Sequence, residues 1–359
     1  MIFHTGQIIG ILGGGQLAQM MAQSATRLGF KTIVYCDEIS PCAETVVSKV
    51  IAAQYENFQK LGEFASECDF ITAETENIPV EAISFLEKNF PKKIRISSHF
   101  FSIAQNRLME KKFAFSLEIP IGEYIEVKEK QDAEEFFRKN GVCILKTATQ
   151  GYDGKGQIKI TQHSDIPSIA KNTEYILEAK VAFAFEISVI ATKSGNDIQF
   201  FPVPLNIHRD GILRESIVPL SVEGFTKQKL AKIKTKALEY AKKIAESIMH
   251  NGTFAVEFFA LEDGSVLFNE IAPRPHNSGH FSIDLCNVSQ FENHIRSVAY
   301  LPLLSPVLIC NGAMENIIGD DIKHVENYLD KQNYKIHLYG KKYAQGRKLG
   351  HVNKLELAK

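Results

Sequence analysis

A chain of 359 residues, 45% hydrophobic and 23% charged, is too long for one ordinary core and has the composition of a soluble protein of two or three domains. Its formal net charge of −1 supplies no field to hold a nucleic acid or an anionic membrane, so neither is an expected partner. Six cysteines without a C-x-x-C pair, a start lacking a secretory pattern and no apolar run of bilayer length argue against a disulfide framework, a zinc site and a membrane anchor, and point to a cytoplasmic setting.

The chain opens with alternating strand-like and helix-like pieces. "QIIGILG" reads as a buried strand, and "QLAQMMAQSATRLG" as a helix closed by Gly29. "KTIVYCD" and "DFITAE" are further strands, while "NFQKLGEFASEC" and "VEAISFLEKNF" are helices. This alternation implies βαβ units and a parallel sheet over residues 1–100. Ligands of such sheets bind beyond the carboxyl ends of the strands, which here carry Gly13–Gly15, Asp37 and "ETENIP" at 74–79. Gly13, Gly15 and Ala18 fit the spacing of a dinucleotide fingerprint, with Asp37 as the ribose acid, so a nicotinamide- or flavin-dependent oxidoreductase is one reading.

Residues 101–112, "FSIAQNRLMEKK", read as an exposed polar helix joining two units. Shorter strands follow to about residue 180: "GVCILKTA", "GQIKIT" and "EYILEA". Long strands return over 181–300 as "FEISVIATK", "IQFFPVPLNIH", "FAVEFFAL" and "SVLFNEIA". Among them "KQKLAKIKTKALEYAKKIAESIMH" has helical apolar spacing, fit to pack on a sheet. Residues 301–359 read as a β-rich tail.

Chemistry concentrates in two stretches. In "LKTATQGYDGKGQIKI" (145–160), Lys146 leads into a loop whose Gly151, Gly154 and Gly156 would let backbone N–H groups approach a polyphosphate, with Lys155 adding charge. It is not a Walker A loop, because Gly156 stands where Ser or Thr would hold magnesium. Taken alone it is better explained as a glycine-rich hairpin turn. In "FAVEFFALEDGSVLFNEIAPRPHNSGH" (254–280), two strands joined by "EDGS" would bring Glu257 and Glu270 onto neighbouring strands. Two such carboxylates repel unless a cation lies between them, and hard oxygen ligands suit Mg²⁺ on nucleotide phosphates. A pair of surface acids is the plainer alternative, and the apolar "FAVEFF" argues against it. Arg274, flanked by two prolines, would clamp an oxyanion, with His276, Asn277, Ser278 and His280 following. Glu178, at the end of "YILEA", would meet a nucleobase and Glu186 a ribose hydroxyl; His208, Arg209 and Arg214 surround a turn.

Taken in order and spacing, "QGYDGKGQ", "NIHRDGILRES", "NEIAPRPHNSGH", "SQFENHIRS" and "QGRKLGH" resemble the N5-carboxyaminoimidazole ribonucleotide synthase family of the ATP-grasp superfamily, over essentially the whole chain. The resemblance implies an α/β ATP-grasp enzyme with four regions. These are an N-terminal parallel-sheet (pre-ATP-grasp, Rossmann-like) domain at 1–100, a linker and small lid subdomain at 101–180, a large α+β ATP-grasp subdomain at 181–300 and a small β-rich C-terminal region at 301–359. It implies that ATP and bicarbonate form carboxyphosphate, which releases CO₂ to the amine of 5-aminoimidazole ribonucleotide. Arg107, Lys146, Gly151, Tyr152, Asp153, Gly154, Lys155, Gly156, Gln157, Glu178, Ala179, Lys180, Val181, Glu186, His208, Asn269 and Glu270 would form the ATP site. Glu257 and Glu270 would hold Mg²⁺, or Mn²⁺ in its place. Arg274 would stabilise carboxyphosphate, with Tyr152, Asp153 and Lys155 in the loop that closes over it. Gln16, Leu17, Glu76, His276, Asn277, Lys341, Arg347 and Lys348 would hold the ribonucleotide. A homodimer is the family's usual assembly.

The chain departs from the family pattern at Ala18 and Gln19, where Gly-Arg is usual, at Thr75, where an aromatic is common, and at Ala344, near a usual arginine. Relatives usually add a further helix after the segment matching "GRKLGH", so it is expected either to follow residue 359 or to be lost in this lineage. The nearest rival, formate-dependent glycinamide ribonucleotide transformylase, shares the carboxylates and the Pro-Arg-x-His loop but has a Ser-rich loop at Tyr152–Asp153. A non-catalytic nucleotide binder would be expected to have lost a metal carboxylate or Lys146, and all are present.

Overall fold

Residues 5–149 and 156–356 are described by a computed structural model. The first unit runs β1 (Ile8–Leu12), α1 (Gln16–Arg27), β2 (Lys31–Cys36), β3 (Lys49–Ala52), α2 (Phe58–Glu67), β4 (Phe70–Ala73) and α3 (Val80–Asn89). Its four strands are parallel in the order β3-β2-β1-β4. β1 and β2 are near-continuous apolar runs because helices cover both faces of the sheet. The order reverses at β1, which opens a crevice between the carboxyl ends of β1 and β4.

The segment expected as one exposed polar helix is two largely buried helices, α4 (Ser98–Gln105) and α5 (Arg107–Ser116). Asn106 breaks them: its backbone is extended, and its side chain accepts the Leu108 and Met109 N–H groups as the N-cap of α5. Phe101, Ile103, Leu108, Glu110 and Lys111 are all buried, so polarity at Glu110 and Lys111 marks internal partners and not a solvated face.

A second, antiparallel sheet comprises β5 (Tyr124–Val127), β6 (Cys143–Thr147), β7 (Gln157–Ile160) and β8 (Tyr175–Ala179) in the order β5-β8-β6-β7, covered by α6 (Lys130–Asn140).

The third sheet holds nine strands. Its members are β9 (Phe185–Ser194), β10 (Asp197–Phe200), β11 (Leu205–Arg209), β12 (Ile212–Val218), β13 (Gly252–Ala260), β14 (Val266–Ala272), β15 (Gly312–Ile318), β16 (Tyr334–Leu338) and β17 (Lys348–Leu355). α7 (Lys227–Ser247) lays Leu230, Ile233, Ala237, Ala241 and Ile244 on Val189, Phe254 and Val256. Each Leu or Ile so buried contributes about 1.5–3 kcal/mol. "IQFFPVPLNIH", expected as one strand, is split into β10 and β11 around Pro202 and Pro204, which have no N–H for a ladder.

After β14 come α8 (Ser282–Leu285) and α9 (Gln290–Val298), whose Phe291, Ile295 and Val298 pack with Leu17, Met20 and Met21 of α1, joining the sheets through one core. The chain ends with β15, α10 (Glu326–Leu329), β16 and β17; β15 pairs with β12, so these strands extend the large sheet. Among the described residues no helix is long and apolar enough to cross a membrane.

Candidate active site

β13 and β14 are antiparallel neighbours, and Glu257 stands directly opposite Glu270. The next pair is Phe258 with Phe268, so Asn269 is the extra residue of a β-bulge beside the carboxylates. Glu257 is only 9% exposed while Glu270 reaches solvent. Burial first, and then the Glu270 charge, push the Glu257 carboxyl up to about 8. A cation between them would relieve both effects. Among the described residues no three His, Cys, Asp or Glu side chains group closely enough to hold a metal alone. The pair therefore fits Mg²⁺, which takes one or two carboxylates and completes its shell with water and phosphate oxygens.

His276 sits beside this pair, its Nε2 3.3 Å from Glu257 Oε1. Its Nδ1 accepts the Ser278 N–H at 3.4 Å, leaving the ring proton on Nε2. Burial, then the Arg274 charge, hold the ring well below its ordinary value, so a neutral imidazole stands beside the Glu257 carboxyl.

The second sheet supplies Lys146 and Glu178, on neighbouring strands β6 and β8 and 2.5 Å apart. Burial opposes charge on Glu178, but Lys111 and Lys146 outweigh it and hold the carboxyl below its usual value. Arg107 donates to the Thr147 carbonyl at 3.2 Å. Ala179 and Lys180 donate their backbone N–H groups to Glu123 and Val142, and half-buried Val181 follows. Gly156 and Gln157 are exposed at the start of β7, where Gln157 pairs with Lys146. Gly151, Tyr152, Asp153, Gly154 and Lys155 lie outside the described residues.

In the large sheet, Glu186 of β9 and His208 of β11 hydrogen-bond at 2.7 Å. Burial disfavours the imidazolium, yet the Glu186 hydrogen bond and the charges of Glu257, Glu186 and Glu270 together outweigh it, so the His208 pKa is raised. The charges of Glu257 and Glu270 also act on His208, which places this pair next to the carboxylates.

The other wall is the crevice of the first sheet. Arg274 is bound at two points by Glu76, which follows β4. Burial works against the Glu76 charge, but Arg274 wins and lowers its pKa. Lys341 donates to Gln16 at the start of α1. Leu17 is 5% exposed and packs in the core, so its side chain does not line the crevice. Lys348 is half-buried at the start of β17, and its charge acts on Glu76 and His276; Arg347 is exposed and donates to the Lys342 carbonyl. Asn277 Nδ2 is buried without a hydrogen-bond partner among the described residues, a donor that a ligand oxygen would satisfy.

Asp37, the fingerprint's ribose acid, is exposed. Glu74, the first residue of the strand-end "ETENIP", instead reaches into the glycine turn: its carboxylate accepts N–H groups from Gly15 at 2.9 Å and Ala18 at 3.4 Å. A Cβ on Gly13 would lie 2.6 Å from Glu74 Cγ, and one on Gly15 2.8 Å from its Oε1. The glycines make room for a carboxylate of the chain itself, seated where a dinucleotide pyrophosphate would go.

Three family comparisons cover the chain almost end to end. Residues 7–105 match the ribonucleotide synthetase preATP-grasp domain, 112–291 the ATP-grasp domain and 312–357 the phosphoribosylaminoimidazole carboxylase C-terminal domain. The N5-carboxyaminoimidazole ribonucleotide synthase of Bacillus subtilis (strain 168) is 40% identical over 98% of this chain and 92% of that protein. The crystal structure of N5-carboxyaminoimidazole synthetase from Staphylococcus aureus complexed with ADP superposes with a TM-score of 0.89 at 34% identity, covering 98% of this chain and 94% of that one. The Aspergillus clavatus synthase in complex with ADP and 5-aminoimidazole ribonucleotide gives 0.88 at 28% identity over the same shares, 98% and 94%.

Proposed function

The chain belongs to the N5-carboxyaminoimidazole ribonucleotide synthase family of ATP-grasp enzymes, and from that premise we propose that it carboxylates 5-aminoimidazole ribonucleotide in purine biosynthesis, consuming ATP and bicarbonate and releasing ADP and phosphate. One observation carries the reading to these residues. Arg274 lies four positions beyond Glu270, at the nucleotide end of β14, and is held by Glu76 from the substrate end of the first sheet. That placement supports a role for it where a phosphoryl acceptor would meet a ribonucleotide.

In this reading a bicarbonate oxygen attacks the γ-phosphorus of ATP, the bond to the β-phosphate oxygen breaks, and carboxyphosphate and ADP result. Carboxyphosphate then splits to CO₂ and phosphate, and the substrate amine attacks the carbon and sheds a proton. Glu178, with Ala179 to Val181 behind it, would meet the adenine, Glu186 and His208 the ribose, and Lys146 and Arg107 the phosphates. Glu257 and Glu270 would hold Mg²⁺ or Mn²⁺, which when bound supplies neutralisation of the transferring phosphoryl charge. Arg274 would hold the carboxyphosphate oxyanion, and Tyr152, Asp153 and Lys155 would close the site against water. Neutral His276, Asn277, Gln16, Lys341, Arg347 and Lys348 would hold the ribonucleotide, the cations at its phosphate. A cytoplasmic homodimer completes the reading.

The test is ADP release with bicarbonate, with and without 5-aminoimidazole ribonucleotide. Strong stimulation by the ribonucleotide is expected. A requirement for formate in place of bicarbonate would move the chain to the transformylases.

A further inference from the structure

β14 ends the large sheet: among the described residues it pairs with β13 on one side and, on the other, meets only an isolated bridge from Ile121 to Phe268. The backbone groups on its outer side need partners, or the edge is left open. They are met from α5 and the turn after it. Phe268 N–H donates to the Pro120 carbonyl at 2.8 Å, the Asn269 carbonyl accepts from Lys111 Nζ at 2.8 Å, and Ile271 N–H donates to Glu110 Oε1 at 2.5 Å. The two side-chain contacts bracket Glu270 on both sides, at the bulge that carries Asn269.

Glu110 and Lys111 are each only 4% exposed. Burying two ionisable side chains to cover an edge is costly when a backbone segment, as at Pro120, serves without them. Lys111 also has a second attachment. Its ammonium is 3.6 Å from Glu178 Oε1 and lies 5.3 Å from the centre of the Phe268 ring. One turn of α5 thus ties the carboxylate strand of the large sheet to the nucleotide strand of the second sheet.

We propose that Glu110 and Lys111 are positioning residues: they fix the β14 bulge so that Glu270 faces a cation, and Lys111 couples that placement to Glu178. This rests on the reading of Glu257 and Glu270 as the Mg²⁺ carboxylates. The readout is the factor by which Mg²⁺ tightens ADP binding, taken from calorimetry with Mg²⁺ and with a chelator, alongside melting temperature. Glu110→Ala should cut that factor at least fivefold. Glu110→Gln, which keeps an acceptor for Ile271 N–H, should restore it to within twofold of wild type. Lys111→Met, which keeps the packing of the stem, should cut the factor and also weaken metal-free ADP binding about tenfold.

A lowered melting temperature with an unchanged factor in Glu110→Ala and Lys111→Met would show a plain edge cover and overturn the proposal. If Glu110→Ala does not fold, Lys111→Met alone decides. Glu270→Ala separates the two readings: it should abolish the factor, and a factor that survives there removes the metal assignment and the positioning role with it.

Discussion

Arg274 and Glu76, 198 residues apart, form a two-point ion pair in which Nη2 donates to Oε1 at 2.8 Å and Nε donates to Oε2. Pro273 and Pro275 restrict the backbone on either side, so the guanidinium has both its base and its tip held. A charge-assisted contact of this kind contributes about 1.5–3 kcal/mol, and here it orients a group whose proposed work is to meet an oxyanion.

Glu76→Gln keeps one acceptor for Arg274 and removes the charge. Ribonucleotide-dependent kcat should fall about tenfold or more, equivalent to roughly 1.4 kcal/mol of barrier, while Mg²⁺-ADP affinity stays within about twofold. Steady-state kinetics beside calorimetry measure both. An unchanged kcat would mean that the two prolines orient Arg274 unaided.

Glu270→Ala removes the exposed member of the carboxylate pair and leaves buried Glu257 without its neighbour's charge. ADP release with bicarbonate and ribonucleotide should drop by about two orders of magnitude or more, the scale set by losing an electrostatic stabiliser of the reacting phosphoryl group. Turnover near the wild-type rate would place the metal elsewhere.

Lys348 opens β17, and its charge acts on Glu76 and His276, two of the residues proposed to hold the ribonucleotide. Lys348→Ala should raise the ribonucleotide KM by about tenfold, the cost of one charge-assisted phosphate contact, with the ATP KM nearly unchanged. A rise confined to the ATP KM would transfer Lys348 to the nucleotide pocket.

What could be read from the residues alone was what short-range chemistry determines. "EDGS" joins two antiparallel strands, so a local turn brings Glu257 and Glu270 onto neighbouring strands, but their direct facing depends on the bulge at Asn269, which no spacing announced. The parallel first sheet follows from its alternating patterns. Relationships between distant segments were not legible. Glu74 fills the glycine turn from 59 positions away, and no local spacing distinguishes an internal carboxylate from a bound phosphate. α5 looks solvated in sequence because its Glu110 and Lys111 have their partners in β14, more than 150 residues on. The strand character of the tail was plain, but its pairing with β12 depends on packing between distant elements.

Glu74 also bears on the dinucleotide reading. Glu74→Ala should remove the acceptor for Gly15 and Ala18 N–H at the start of α1, which has no side-chain cap of its own. The cost should be about 1–2 kcal/mol, seen as a melting temperature lower by a few degrees. Titration of the variant with NAD or FAD should show no binding, since the crevice lacks a ribose acid once Asp37 is turned to solvent. Tight binding of either would restore the fingerprint to its usual meaning.

His208 and Glu186 give a pH signature whose direction is set by the raised His208 pKa. The folded state holds the proton more tightly than the unfolded chain, whose histidine titrates near about 6.5. The stabilisation is therefore complete below about pH 6.5 and is lost as pH rises through the folded value. His208→Gln keeps a neutral donor for Glu186 and removes the titration. With chelator present and no nucleotide, the melting-temperature gap between wild type and variant should be widest below about pH 6.5 and narrow as pH rises through the folded value. A gap that widens toward high pH would show that His208 is held neutral, donating to Glu186 without a charge of its own.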